Sequence, residues 1–207
     1  MTDVYIIGAS GHGKVVQAAL RTMGMPVGGF FDDDPGLLGG SVCGIPVLGP
    51  VRDFGLLERP RGVIAIGKAT IRQRTAQSFP QAEWLRVVHA SSWVDISVDV
   101  GDGSIVCAGG VVQPDSVLGR HCIINTGATI DHDCRVGDYA HVCPGAHLGG
   151  NVHVGTGSWI GIGSQVIQGV AIGANVTVGA GSTVLRDVPD NAVVVGSPAR
   201  IVRYDRC

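Results

Sequence analysis

Sixteen aliphatic residues stand at six-residue intervals with no insertion: Val94, Val100, Val106, Val112, Leu118, Ile124, Ile130, Val136, Val142, Leu148, Val154, Ile160, Val166, Ile172, Val178 and Val184. A period of six is neither the 3.6 of a helix nor the 2 of a long strand. It calls for a unit that buries one side chain, turns, and repeats. The fifth position of the hexad is small at Ser104, Gly110, Ser116, Cys122, Ala128, Cys134, Ala140, Ala146, Ser158 and Ser164. The second is often glycine (101, 119, 137, 149, 155, 161, 173, 179), which we read as turns that need φ > 0. Each hexad is then one short strand plus a corner. Three hexads close an 18-residue triangular coil, so residues 94–183 make five coils. At one strand spacing per coil the prism is roughly 24 Å tall.

Composition agrees. With 33 glycines and only 5% aromatics, the chain suits a tightly wound β structure, and 45% hydrophobic with 15% charged residues excludes disorder. The net charge of −2 and the lack of a basic block argue against a nucleic-acid partner. No apolar run is long enough for a membrane span. Met1–Gly8 lacks a basic flank, so no signal peptide is expected and the reading is cytoplasmic. The six cysteines (43, 107, 122, 134, 143, 207) contain no CxxC pair. They read as small packed residues of a reducing compartment.

Residues 1–85 lack the hexad. Val4–Ile7 reads as a buried strand running into Gly8-Ala9-Ser10-Gly11-His12-Gly13. Lys14–Met23 reads as a helix, and Val27–Phe31 and Val63–Ile66 as further strands. Gln81–Trp93 reads as the connection to the first coil. Strand, glycine turn, helix, strand is a Rossmann-like half. Its turn can hold a nucleotide phosphate on free N–H groups at the helix N-terminus, with Asp32 about 20 residues on to grip ribose or base. A tight turn with no ligand would use the same glycines. The expected division is 1–85 for the Rossmann-like nucleotide-sugar-binding domain and 86–207 for the prism, with a C-terminal cap in Asp187–Cys207.

The order of these parts resembles the bacterial nucleotide-amino-sugar N-acetyltransferases and the related sialic acid O-acetyltransferases among the hexapeptide-repeat acyltransferases. The motifs that carry the likeness are Gly8-Ala9-Ser10-Gly11-His12-Gly13, Phe31-Asp32-Asp33, Ala65-Ile66-Gly67, Ile124-Asn125-Thr126-Gly127, Asp131-His132-Asp133-Cys134 and Gly196-Ser197-Pro198-Ala199. The resemblance implies a left-handed parallel β-helix assembled as a homotrimer. It implies acetyl-CoA as cosubstrate, no metal, and a nucleotide-sugar acceptor used in bacterial surface glycan synthesis. His132 would be the general base and Asp133 its support. Asp is shorter than the Glu of some members, so a less direct bond to the ring is expected. The Gly150 amide would face the thioester oxygen. Ser10, Gly11, His12, Asp32, Asp33 and Gly67 would hold the nucleotide sugar, with Asn125 near the reacting centre. His141, Ile162 and Ala180 would line the acetyl-CoA path. A UDP-linked 4-amino-4,6-dideoxy sugar is the acceptor the resemblance favours.

Spacing supplies an independent check. His132 and Gly150 are one coil apart, so a base and a backbone N–H share one face and can flank one carbonyl. A metal-dependent prism enzyme is the first rival, but His141, His147 and His153 fall on successive faces. A non-catalytic nucleotide-sugar sensor is the second; it has no reason to bind CoA. Cys122 and Cys134 read as core, and a thiol nucleophile at Cys143 is disfavoured. Arg186, Arg200 and Arg203 are either solvated or placed to meet the phosphates of CoA.

Overall fold

The computed structural model of the 207-residue chain describes residues 3–205. Met1, Thr2, Arg206 and Cys207 lie outside the described residues, the last two being the end of the expected cap. The N-terminal part runs β1 (Val4–Ile7), α1 (Gly11–Thr22), β2 (Val27–Phe31), β3 (Ser41–Val42), β4 (Ile45–Gly49), a 3₁₀ turn (Val51–Leu56), β5 (Arg61–Ile64), α2 (Ala69–Ser78) and β6 (Glu83–Trp84). These strands form one sheet in the order β3-β4-β2-β1-β5-β6, parallel except for β3 with β4. β1 alternates between two apolar layers. Val4 and Ile6 pack with Val16, Ala19 and Leu20 of α1. Ile7 packs on the other side with Phe54, Ile64, Ala76 and Trp84. That two-sided burial is why its sequence is continuously apolar.

Four local readings change. The helix begins at Gly11, so Gly11-His12-Gly13 is its first turn and not a loop before it. The third expected strand ends at Ile64, and Ala65-Ile66-Gly67 is the turn that leaves it. β3, β4, α2 and β6 were not legible. Gln81–Trp93 is not a connection: it holds β6 of the first sheet and the first rung of the prism.

The prism is built from seventeen two-residue strands, β7 (Val87–Val88) through β23 (Thr183–Val184), at six-residue steps. Each pairs in parallel with the strand 18 residues away, as in Ile105↔Ile123, Val111↔Thr129 and Val117↔Arg135. Three flat faces result. The frame opens at Val88, one hexad before Val94. The aliphatic hexad residues fill the interior, with Cys122, Ala128, Cys134, Ala140 and Ala146 beside them. β24 (Ala192–Val195) extends the first face, and β25 (Arg200–Tyr204) folds back antiparallel along it as its outermost strand.

The glycines of the second hexad position do not make the left-handed turns. Positive φ falls on the fourth position, at Gly103, Gly109, Asp115, His121, Gly127, Asp133, Tyr139, Gly145 and Asn151 among others. The second position is glycine because successive coils touch there. A Cβ on Gly101 would lie 2.4 Å from the Gly119 backbone, and one on Gly161 would lie 2.5 Å from the Val178 carbonyl oxygen.

The two parts are packed together. On the first face the outward residues Val87, Ile105 and Ile123 have no exposed surface and join the cluster of Val4, Ile6, Val16 and Leu20. The N-terminal sheet and α1 therefore cover the first face. The second and third faces carry Thr129, His147 and Gln165, and Arg135 and His153, outward.

Candidate active site

His132 and Asp133 occupy the corner between the second and third faces, after Thr129–Ile130 and before Arg135–Val136. Asp133 is a left-handed corner residue, φ 59°. Aspartate tolerates that conformation better than most residues. His132 Nδ1–H donates to Asp133 Oδ2 at 2.7 Å, so the shorter carboxylate reaches the ring directly. A carboxylate only accepts, so this bond places the proton on Nδ1 and leaves Nε2 with its lone pair. Asp131 Oδ1 accepts the His132 N–H at 2.8 Å and fixes the same corner. The Asp133 hydrogen bond raises the His132 pKa above the ordinary 6.5. One coil below, Gly150 lies under the ring: a Cβ built there would be 2.6 Å from Nε2. The Gly150 carbonyl accepts from Gly169, and its N–H donates to no acceptor among the described residues. A basic nitrogen thus lies over a glycine whose N–H is left without an acceptor among the described residues, a pairing that suits proton removal beside a polarised carbonyl.

A second constellation forms where the N-terminal sheet meets the first face. β1 lies between β2, which the chain reaches next through α1, and β5, which it reaches later on the other side, and ligand crevices lie at such a switch point. Gly8 (φ 103°) needs its glycine, and Gly13 is forced by close approach, since a Cβ there would sit 2.2 Å from the Gly8 carbonyl oxygen. Ser10 caps α1 without a side-chain hydrogen bond to it, and the space around Gly11 is open. Asp32 is more engaged than the sequence implies: Oδ2 accepts from Ala9 N–H at 2.7 Å and Oδ1 from Asp34 N–H at 2.9 Å. Asp33 Oδ1 accepts from Val51 N–H at 2.9 Å. The two carboxylates brace the glycine turn and the loop after β2.

His12 of α1 and His141 of the first face bring their rings within 6.2 Å. His141 also meets Trp159 edge-on at 4.4 Å. A Cβ on Gly67 would stand 3.8–3.9 Å from Trp159 and His141, so the turn after β5 rests on this pair. Asn125 Oδ1 accepts from Thr126 N–H, which orients its amide so that Nδ2–H donates to His141 Nε2 at 3.0 Å. Burial, reinforced by the Arg72 charge, lowers His12 to about 4 and His141 to about 3. Both are neutral at pH 7. His12 Nε2 and His141 Nδ1 are buried without a hydrogen-bond partner. A polar ligand in the crevice would satisfy them.

His141 stands with His12, Gly67 and Asn125 on the first face; the other two residues expected along the acetyl-CoA path are Ile162 and Ala180. Those two stack one coil apart at the corner between the first and second faces, Gly181 N–H donating to Ile162 O at 2.8 Å. Between that corner and His132 runs a groove of ≈ 610 Å³ on the second face, lined by Thr129, Asp131, His147, Gln165 and Leu185 among others. His141, His147 and His153 project from three different faces, and no metal-holding group of His, Cys, Asp or Glu occurs among the described residues. Cys143 is buried, and burial pushes its thiol up to about 12, which leaves no thiolate at neutral pH.

Residues 3–79 match the family described as the PglD N-terminal domain, and residues 115–150 and 151–186 match the bacterial transferase hexapeptide repeat. A variant of GDP-perosamine N-acetyltransferase from Caulobacter crescentus, in complex with CoA and GDP-perosamine, is 39% identical with a TM-score of 0.93 over 97% of each chain. The chain belongs to the hexapeptide-repeat nucleotide-amino-sugar N-acetyltransferase family. Within this family the acetyltransferase domain of PglB from Neisseria gonorrhoeae, in complex with acetyl coenzyme A, is 36% identical with a TM-score of 0.92, covering 97% of this chain and 98% of that one. WeeI from Acinetobacter baumannii is 29% identical with a TM-score of 0.89 over 98% of this chain and 100% of that one. The prism is the left-handed parallel β-helix of the family. A curated relative, uncharacterized protein L142 of Acanthamoeba polyphaga mimivirus, is 30% identical over 121 residues, and the match spans 24% of its length.

Two residues of this family member escaped the sequence reading. Trp159 and Arg72 both contact the turn at Gly67 or its carbonyl. Trp159 had a signal: Val87, Ile105, Ile123, His141, Trp159 and Thr177 recur every 18 residues, and this outward column is mostly apolar where a docked domain covers it. Arg72 had none, because nothing in its own segment requires a buried cation.

Proposed function

We propose that the chain transfers the acetyl group of acetyl-CoA to the amino group of a nucleotide-linked amino sugar, with His132 as general base. The observation that carries this reading is the packing of His132 Nε2 over Gly150, whose N–H has no acceptor among the described residues. The acceptor amine attacks the thioester carbonyl while Nε2 takes its proton. The Gly150 N–H donates to the oxyanion that develops. The C–S bond then breaks, and the imidazolium returns the proton to the departing CoA thiolate. Asp133 steadies the imidazolium and holds the tautomer. No acyl-enzyme is needed.

The acceptor domain covers the first face, and the His132 corner is the prism edge opposite that face. We place the two on different copies of a homotrimer, with the acceptor domain of one chain facing the base of the next. The donor lies along the groove of the second face. Ser10, Gly11 and His12 hold phosphate and sugar, Asp32 and Asp33 brace that turn, and Gly67, Asn125 and His141 line the crevice. The finer expectation is a UDP-linked 4-amino-4,6-dideoxy sugar. The complex of the Caulobacter relative makes a GDP-linked amino sugar its rival. A CoA-release assay over UDP-, GDP- and CMP-linked amino sugars, with their hydroxyl counterparts, tests both. Release with at least one amino sugar supports N-acetylation; release with hydroxyl acceptors alone moves the reading to O-acetylation. Acetyl-CoA that neither binds nor turns over returns the chain to the sensor class.

A further inference from the structure

Arg72 of α2 is a guanidinium with no exposed surface, and none of its hydrogen-bond partners is a carboxylate. Its fork spans three separate segments. Nη1 donates to Ile66 O at 2.7 Å and Gly67 O at 2.9 Å, Nε donates to His121 O at 2.8 Å, and Nη2 donates to Tyr139 O. The first two carbonyls belong to the turn after β5. The other two belong to stacked left-handed corners of the prism, one coil apart (φ 53° and 60°). None of these four carbonyls accepts a backbone N–H. The rings of His121 and Tyr139 stack at 5.3 Å, and Trp84 meets His121 edge-on at 5.3 Å.

We propose that Arg72 is a positioning residue that locks the acceptor domain onto the prism and sets the Ile66–Gly67 turn over His141 and Trp159; this rests on the acetyl-transfer reading above. A planar fork with five donors can bind four divergent carbonyls at once, and lysine cannot. The guanidinium stays charged at neutral pH, burial lowering it only to about 10. The turn it holds forms one wall of the acceptor crevice. The donor groove and the His132 corner lie on other faces. The role therefore has a signature that plain stabilisation lacks: acceptor affinity changes and donor affinity does not.

Full-length Arg72→Met and Arg72→Lys test it, with Arg86→Gln, which breaks only an exposed 3.0 Å pair with Asp102, as control. Four unsatisfied carbonyls in Arg72→Met should raise the acceptor KM by about tenfold or more, while the acetyl-CoA KM stays within about twofold. Arg72→Lys should fall between, since one ammonium reaches only some of the carbonyls. Amide hydrogen exchange should quicken in the turn at residues 65–70 in both variants and not in Arg86→Gln. Equal rises in both KM values, or wild-type acceptor KM and exchange in folded Arg72→Lys, overturn the proposal. If the wild-type chain acetylates no nucleotide amino sugar, the acetyl-transfer reading fails, and unchanged exchange at 65–70 then overturns the docking role on its own.

Discussion

Replacing Gly150 with alanine is the smallest change that disturbs the base without touching it. The added methyl would stand 2.6 Å from Nε2 and 2.7 Å from Cε1 of His132, where ordinary contact starts at 3.4 Å. The imidazole must therefore move by about 0.8 Å, a displacement of the size that costs roughly 10²-fold in an oriented reaction. That loss corresponds to about 2.7 kcal/mol of barrier. The fold should hardly notice. Gly150 does not have a left-handed φ, so alanine fits its backbone, and the His132 side chain is 60% exposed and free to swing. Stability should change by no more than about 0.5 kcal/mol. The assay is CoA release at saturating donor and acceptor, beside a thermal melt of the same sample. A Gly150→Ala protein with an unchanged melt and kcat within about threefold of wild type would refute the claim that Nε2 acts beside Gly150.

His132→Ala should lower kcat by about 10²–10⁴ with both KM values nearly unchanged, and a folded variant retaining more than about a tenth of wild-type turnover contradicts the base assignment. Asp133→Asn should cost less, because it removes the support and leaves the base. The pH–rate profile should rise as a group with pKa above 6.5 loses its proton, since the Asp133 bond raises His132, and the inflection should move down in Asp133→Asn; an inflection that stays put contradicts the pairing. His12, His121 and His141 are held neutral by burial, at about 4, 4 and 3 against 6.5 when unfolded. Between those values the unfolded chain binds more protons, so stability is full above pH 6.5 and falls toward pH 4. A urea midpoint that is flat from pH 7 to pH 4.5 would contradict that burial.

What could be read from the sequence divides along a physical line. The prism was legible because each coil repeats one environment, so every sixth residue meets the same aliphatic interior. The pairing of His132 with Gly150 followed from the same arithmetic, 18 residues being one coil. The cause of the glycines was misread, because a sequence shows that a Cβ is missing and not which neighbour excludes it. Gly101 and Gly161 answer to the next coil, while Asp133 and Tyr139 take the left-handed corners. α2 was missed because only Arg72, Thr75 and Ala76 of its ten residues are buried, which leaves no apolar stripe. Asp32 drew notice for its spacing from the glycine turn, yet its two oxygens bind Ala9 and Asp34 N–H groups. Contacts between distant segments, such as those of Arg72 and the His12–His141 pair, leave no local pattern to read.

In the proposed trimer each site is shared between copies, with the acceptor crevice from one chain and His132 from its neighbour. Subunit mixing tests it. Asp32→Ala removes the brace of the acceptor turn and His132→Ala removes the base, so each trimer alone should be nearly inactive at limiting acceptor. Co-refolding equal amounts should regenerate intact sites wherever a chain with a sound acceptor domain faces a chain with a sound base. In a randomly assembled cyclic trimer that holds for about one site in four. The mixture should recover about a quarter of wild-type CoA release, in a species of trimer mass. A mixture of trimer mass that stays as inactive as its two components would contradict it, because a site contained within one chain cannot be repaired by a neighbour.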